Sequence, residues 1–201
     1  MSSTVIAPKD VAELRRRSGA GMMDCKKALE ETNGDMDKAM ELLRKKGIAK
    51  AEKRAGREAA QGLILSYIHH NHQVGVLLEL NCETDFVART EPFRELGREI
   101  ALHIASADPL TVRPEDIPAD LIERERRIAD EQVAAEGKPE AMRGKIVEGK
   151  LKKFVAERAL LEQPFVKDDT RTVGQLVKEA SGKIGEAITV RRFARFKIGE
   201  A

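Results

Sequence analysis

Apolar positions along this chain first keep a helical period, then switch to a period of two, then return to a helical one. Over the first 50 or so residues the spacing predicts three short helices. Pro8 suits the first turn of the first helix, which carries Val11 and Leu14 on one face. Ser18-Gly19-Ala20-Gly21 breaks it, because glycine accepts the left-handed geometry that ends helices. The second helix carries Met22, Cys25, Ala28 and Leu29, and Asn33-Gly34 ends it. Asp35 is a suitable cap for the third, where Met36, Ala39, Met40 and Leu43 recur at helical spacing. Three helices of this size close a small, marginal core. Residues 44–57, RKKGIAKAEKRAGR, hold seven basic residues and one acid and read as a helical linker. The expected division is therefore an N-terminal three-helix domain over residues 1–54 and a core domain over residues 55–201.

The period of two begins after the basic run. Leu63 to Ile68 reads as a strand, and Val74, Val76, Leu78, Leu80 and Cys82 alternate as a second. His69-His70-Asn71-His72-Gln73 is the turn between them, giving a strand hairpin over residues 61–82. A helix is predicted over residues 90–106, with Thr90 as cap, Pro92 in its first turn, and Phe93, Leu96, Ile100 and Ile104 as its stripe. Pro109, Pro114 and Pro118 punctuate the loop that follows. Two charged helical stretches, turning at Gly137-Lys138-Pro139, predict a projecting helical hairpin over residues 115–162. Its first arm has Leu121, Ile128 and Ala135 seven apart, and its second has Met142, Ile146, Leu151, Phe154 and Val155. Gln163-Pro164-Phe165-Val166 leads the chain out of it. Thr172 with Gln175 is a capping-box pattern ahead of Val173, Leu176, Val177, Ala180 and Ile184. Ile188, Val190, Arg192, Ala194, Phe196 and Ile198 then alternate along one face, so residues 172–198 supply a helix and a final strand. The fold class is α+β, with a small antiparallel sheet of about three strands packed with helices.

Composition narrows the function. The formal charge is +2, from 36 basic and 34 acidic residues, and this balance argues against a protein built to neutralise a nucleic-acid backbone. Two cysteines, Cys25 and Cys82, make no disulfide framework, and a reducing cytoplasm is the simple reading. No apolar run is long enough to span a membrane, and the N-terminus lacks the charged and apolar regions of a secretory signal.

Candidate chemistry is sparse. His69, His70 and His72 lie close together, but no carboxylate or thiol sits at ligand spacing, which favours a solvated turn over a metal site. His103 reads as a helix-face residue. Cys25 lies on an apolar stripe and Cys82 at a strand end, so both read as packing residues. There is no GxSxG, HExxH, Walker loop or post-strand GxGxxG, so no enzyme, catalytic residue, metal or cofactor is expected. The basic run has no interleaved aromatic and lacks the stacking platforms of single-strand readers, so direct nucleic-acid binding is not expected. For Met22 and Met23 the pattern leaves two readings about even: both lie in the core, or one does and the other lies on the surface, where methionine adapts to a partner. The stretch CETDFVART, residues 82–90, is the sharpest case. The chain has only six Phe and one Tyr, and Phe86 stands where the strand gives way to a loop. Thr84 can cap a short helical piece with Asp85 in its first turn. Pattern alone favours burying Phe86, because aromatics bury large area.

Two long motifs add to this reading. LRRRSGAGMMDCKKALEETNGDMDKAMELLRKKG, from Leu14 to Gly47, and ELNCETDFVAR, from Glu79 to Arg89, resemble the bacterial elongation factor Ts family. KPEAMRGKIVEGKLKKF and QPFVKDDTRTVGQLVKE resemble its later part, so the likeness spans almost the whole chain. The resemblance implies a guanine-nucleotide exchange factor for the GTPase elongation factor Tu, acting by protein binding without covalent chemistry. It implies a ubiquitin-associated-like N-terminal domain that meets the GTPase through Arg15, Met22 and Met23. It also implies that Thr84, Asp85, Phe86 and Val87 intrude on the partner and disturb its Mg²⁺ site, which places Phe86 outward. Longer members carry two copies of the sheet subdomain. This chain has one hairpin and is similar to the short form, which implies a homodimer through the core domain. The open edges of a three-stranded sheet point the same way.

Overall fold

The computed structural model describes residues 6–137 and 139–200. In chain order the elements are α1 (Pro8–Ser18), α2 (Met22–Glu31), α3 (Met36–Glu52), β1 (Gln61–Ile68), β2 (Val74–Cys82), α4 (Asp85–Ala88) and α5 (Glu91–Ala107). After them come α6 (Ala119–Ala135), α7 (Glu140–Arg158), β3 (Pro164–Phe165), β4 (Asp168–Thr172), α8 (Val173–Ile184) and β5 (Ile188–Lys197). Short 3-10 turns occupy Pro114–Asp116 and Leu160–Glu162. The fold is α+β, with a small antiparallel sheet in the order β1-β2-β5. A second sheet, β3–β4, pairs Pro164 with Thr172 and Phe165 with Asp168. Its strands escape a reading by alternation, because β3 is two residues long and β4 reads Asp-Asp-Thr-Arg-Thr.

Two compact units interleave along the sequence. One takes in the chain up to Gly62, Asn81–Phe93 and Val177–Thr189; the other takes in Leu63–Leu80, Arg94–Leu176 and the chain from Val190.

In the first unit, α1 to α3 close on Leu14, Cys25, Ala28, Leu29 and Ala39. The expected stops and starts are there. Gly19, at φ 68°, ends α1 and donates its N–H to the Arg15 carbonyl at 2.9 Å. The Asp35 carboxylate caps α3 by accepting from the Lys38 N–H at 3.0 Å. Only the first part of the basic run is helical: α3 carries it to Glu52, and a turn at residues 53–57 follows. Arg44 meets the buried carboxylate of Glu179, Lys46 meets Glu31 at 2.7 Å, and Lys50 meets Asp24 at 2.8 Å. These acids lie far off in sequence, so charge density alone could not reveal the pairing. The second half of α8 lies hard against α3. A Cβ at Gly182 would stand 2.5 Å from the Gly47 carbonyl oxygen, so only glycine permits this approach.

In the second unit, Leu65 of β1 packs under α5, where a Cβ at Gly97 would come within 2.7 Å of it. Val76, Leu78 and Leu80 are buried, as are Leu96, Ile100 and Ile104, which matches the predicted stripes. Along β5 the predicted alternation fails. Ile188 and Val190 are buried, but Phe196 and Ile198 are exposed, while Phe193 and Arg195 are partly covered. Two successive exposed residues, Arg191 and Arg192, mark where the inward parity changes. Arg192 instead reaches Glu79 of β2 at 2.6 Å.

Helices α6 and α7 form the predicted hairpin, around a stripe that keeps Ile146 and Leu151 of the predicted one but shifts elsewhere. Ala129, Val133, Val147 and Leu151 make its core, with Ile146 beside them, whereas Ile128 and Met142 are exposed. Adjacent positions lie only about 100° apart on a helix, so the register of the facing helix selects the covered stripe. Of the predicted turn, Gly137 is left-handed at φ 67°, and Lys138 lies outside the described residues. At α8 the capping box forms. Thr172 N–H donates to Gln175 Oε1 at 2.9 Å, and Gln175 N–H donates to Thr172 Oγ1 at 3.2 Å.

His103 is not a surface residue of its helix. It is buried, and its Nδ1 accepts from the Val166 N–H at 3.2 Å. That leaves Nε2 as the protonated nitrogen, 2.9 Å from Gln163 Oε1. The Gln163 amide in turn donates to the Glu157 carbonyl at 2.8 Å. Burial pushes the His103 pKa down, against the opposing pull of the Gln163 hydrogen bond.

Two expectations follow for stability. Gly182→Ala should destabilise by about 1–3 kcal/mol through overpacking. Gly149→Ala, where a Cβ meets nothing within 4 Å, should stabilise α7 by about 0.5–1 kcal/mol. Denaturant unfolding compares the two. His103 contributes stability that is present above its unfolded pKa of about 6.5 and lost as pH falls toward its lower folded value. The melting temperature should therefore drop between pH 7.5 and 5, and calorimetry of His103→Gln, which cannot titrate, should show a shallower drop.

Candidate functional site

The stretch after β2 is built by one carboxylate and one hydroxyl. Thr84 is extended, at φ −127° and ψ 153°, and its Oγ1 accepts from the Val87 N–H at 3.3 Å. That is the N-cap expected from its position, and it starts α4 at Asp85. The same hydroxyl donates to Glu186 Oε1 at 2.6 Å. Glu186 Oε2 accepts from the backbone N–H groups of Glu83 and Thr84, at 3.1 and 3.0 Å. The contact is returned, because Glu83 Oε1 accepts from the Ala187 N–H at 2.6 Å. Arg57 stands 3.5 Å from that Glu83 oxygen and offsets part of its charge.

Cys82 closes the near end of the turn. Its thiol donates to the Thr84 carbonyl at 3.2 Å. Burial pushes the Cys82 pKa up, and the negative charge of Glu186 adds to the rise. Cys82 and Cys25 are both free and buried.

The four residues Thr84 to Val87 are brought together by this single turn. Asp85 pairs with Arg89 at 2.8 Å, one helical step on. Phe86 is 79% exposed, so the burial favoured by pattern alone does not occur. The reason is local. The Thr84 cap and the start of α4 break the strand's alternation, and the helical turn aims Ala88 inward in place of Phe86.

Arg15, Met22 and Met23 lie on α1 and α2, and among the described residues they make no hydrogen bond or ion pair to the Thr84–Val87 turn. Arg15 is exposed, and its guanidinium is unpaired among the described residues, whereas Arg16 and Arg17 are both held by Glu13. Met22 and Met23 are both exposed, at 45% and 63%, so neither is the core residue expected of at least one of them. The space under the first turn of α2 is taken by the preceding loop. Ser18 Oγ is 3.6 Å from Cys25 Sγ, and that thiol lies 3.7 Å from the Ala20 carbonyl.

Sequence reading passed over Glu186, Glu83 and Arg57. Each is one acid or base in a chain full of them, and their partners lie about a hundred residues away or on a loop. Gly185, at φ 94° just after α8, is the one local sign that the chain turns sharply there.

Comparison with known proteins agrees with the motifs. The family model described as "Elongation factor TS" matches residues 4–200. The chain is 57% identical to "Elongation factor Ts" of Thermosipho melanesiensis over 196 residues, covering 98% of this chain and 100% of that one. It is 57% identical to the protein of that name from Fervidobacterium nodosum, covering 97% and 99%. To the one from Moorella thermoacetica it is 54% identical, covering 98% and 97%.

Proposed function

The chain belongs to the elongation factor Ts family, and from that premise we propose that it binds GDP-bound elongation factor Tu and promotes GDP release so that GTP can bind. The observation that carries the reading is Phe86, a large apolar ring left 79% exposed on a turn held by hydrogen bonds at Glu83, Thr84 and Val87. Exposed aromatics held on rigid backbone are the usual anchors of protein–protein contact. The chemistry is exchange by binding. A GTPase holds GDP through phosphate-cradling groups and a Mg²⁺ that neutralises the diphosphate. Magnesium demands near-octahedral geometry, so a small displacement of its surroundings weakens it. A factor that prefers the empty GTPase must, by linkage, loosen GDP.

In this reading Thr84, Asp85, Phe86 and Val87 form the element that intrudes on the partner and disturbs its Mg²⁺ site. Asp85 orients the turn through Arg89. Burying one Phe is worth roughly 1.5–3 kcal/mol. Each tenfold acceleration needs about 1.4 kcal/mol, so one ring accounts for about one to two decades. The rest falls to a wider interface. Arg15, Met22 and Met23 on the three-helix part, which we read as ubiquitin-associated-like, supply an unpaired cation and two adaptable thioethers. The setting is cytoplasmic, in keeping with two free buried thiols. Among the described residues no helix is long and apolar enough to cross a membrane.

We read the second unit as the site of homodimerisation, within the core region proposed for residues 55–201. One face of the sheet packs under α5 through Leu65. The other presents Ile64, Ile68, Leu77 and Phe196, all exposed. Gly75 widens this face, where a Cβ would meet Ile68 Cδ1 at 3.1 Å. A second copy, turned by a two-fold axis, covers it with an identical apolar face as in a sheet-on-sheet sandwich. A nucleic-acid partner is not favoured, because Arg44, Lys46, Lys50 and Arg57 of the basic run are already held by acids.

Two experiments test these readings. Stopped-flow release of labelled GDP from elongation factor Tu should slow by about tenfold or more with Phe86→Ala, from the loss of ring burial. Because the ring is in solvent, its thermal unfolding should match wild type; release as fast as wild type would sink the wedge. In sedimentation equilibrium wild type should run as a dimer and Leu77→Glu as a folded monomer. A dimer that survives Leu77→Glu places the interface elsewhere.

A further inference from the structure

An exposed ring presents a physical problem. Phe86 gains almost nothing from packing within its own chain, so its position depends on the backbone beneath it. That backbone is α4, a helix of four residues, far too short to persist alone. Something outside α4 must fix it.

The hydrogen bonds identify the support. Three donors in two consecutive residues, Glu83 N–H, Thr84 N–H and Thr84 Oγ1–H, converge on the single carboxylate of Glu186. One side chain thus gathers three donors from the two residues that immediately precede α4. Glu186 is itself fixed. Its own carbonyl accepts from Ser181 Oγ at 2.6 Å, and Gly185 N–H donates to the Ser181 carbonyl at 2.9 Å, closing the end of α8. Ala187 N–H returns a bond to Glu83 at 2.6 Å, so the two segments are stapled in both directions. Thr84 then passes the constraint on, because the hydroxyl that donates to Glu186 also accepts from Val87 N–H and so starts the turn bearing the ring.

We propose that Glu186 is the positioning residue of the exchange element: its carboxylate presets the Thr84–Val87 turn so that Phe86 meets the GTPase already in its docking geometry. The proposal rests on the exchange reading given above and names the residue that makes it work. Glu186 acts through reach, by spanning three donors. It does not act by its charge on the partner. A preset element spends less of its binding energy on ordering, and that energy becomes available to displace the nucleotide.

Two substitutions separate reach from charge. Glu186→Gln keeps the length. Its amide oxygen accepts from both N–H groups, and its NH₂ donates to Thr84 Oγ1. Glu186→Asp keeps the charge but is one methylene short of the three donors. GDP release from elongation factor Tu is measured against factor concentration, with the maximal rate and half-saturating concentration fitted separately. Amide hydrogen exchange of residues 82–89 is followed on the same free proteins.

Glu186→Gln should release GDP within about threefold of wild type and keep the exchange protection at Thr84 and Val87. Glu186→Asp should lower the maximal rate by about tenfold or more and lose that protection, while protection in α1 to α3 is unchanged. Three results overturn the proposal. The first is Asp behaving as wild type with Gln impaired, which makes the residue a charge acting on the partner. The second is Asp exposing the Thr84 and Val87 amides without slowing release, which makes the staple structural only. The third is wild type failing to speed release at all. That result fails the exchange reading itself and is recognised separately, because the hydrogen-exchange contrast between the variants would still be present.

Discussion

A ring that stands in water cannot be placed by packing, so the position of Phe86 depends on the hydrogen bonds that hold its backbone. The carboxylate of Glu186 is where that set of bonds begins. It accepts from Glu83 and Thr84, and Thr84 in turn caps the turn that carries the ring. Neither residue could serve without the elements that deliver it. β2 must end at Cys82, with its thiol on the Thr84 carbonyl, and α8 must end at a left-handed Gly185. Two strands of chain about a hundred residues apart thus meet at one carboxyl group.

The first unit has a second fixed point of a different kind. α3 and the latter half of α8 touch at Gly182, whose lack of a side chain lets it meet the Gly47 backbone. Arg44 with Glu179, and Lys178 with Glu52 at 3.0 Å, flank that contact with opposite charges. The exposed Lys178–Glu52 pair contributes little, whereas Arg44 compensates the buried charge of Glu179, and the Gly182 contact sets how closely the helices approach. The basic run takes its meaning from this arrangement. What looks like a cationic segment in the sequence is the end of α3 and the turn after it, with Arg44, Lys46, Lys50 and Arg57 each paired to an acid.

Several features were legible in advance because they are local. The caps at Asp35, Thr84 and Thr172, and the glycine stop at Gly19, depend on side chains reaching backbone within a few residues. The stripes of α5 and β2 were legible because burial on one face imposes the period of the element. The misreadings are of two kinds. The spacing names Ile128 where Ala129 is covered, places at least one of Met22 and Met23 in the core where both are exposed, and gives Phe196 the parity of Val190. In α6 and at the start of α2 two neighbouring positions are equally apolar by pattern and packing decides whether either is covered, whereas in β5 the inward parity changes at Arg191 and Arg192. Phe86 belongs with them. Its size argued for burial, the motif around it argued for exposure, and the capped turn placed it outside.

The sequence by itself determined the family, the α+β class and most of the helices and strands, and it singled out the segment from Thr84 to Val87 as a candidate. It could do so because periodicity, capping and turn chemistry are written within a few residues of where they act, and because two long motifs are specific. Tertiary structure alone decided which face of β5 is covered, that the His103 ring is buried between Gln163 and Val166, and that Glu186 holds the turn under Phe86. Those outcomes depend on hydrogen bonds and packing between residues tens to a hundred positions apart. No local pattern distinguishes the one acid that finds such a partner from the many that face water.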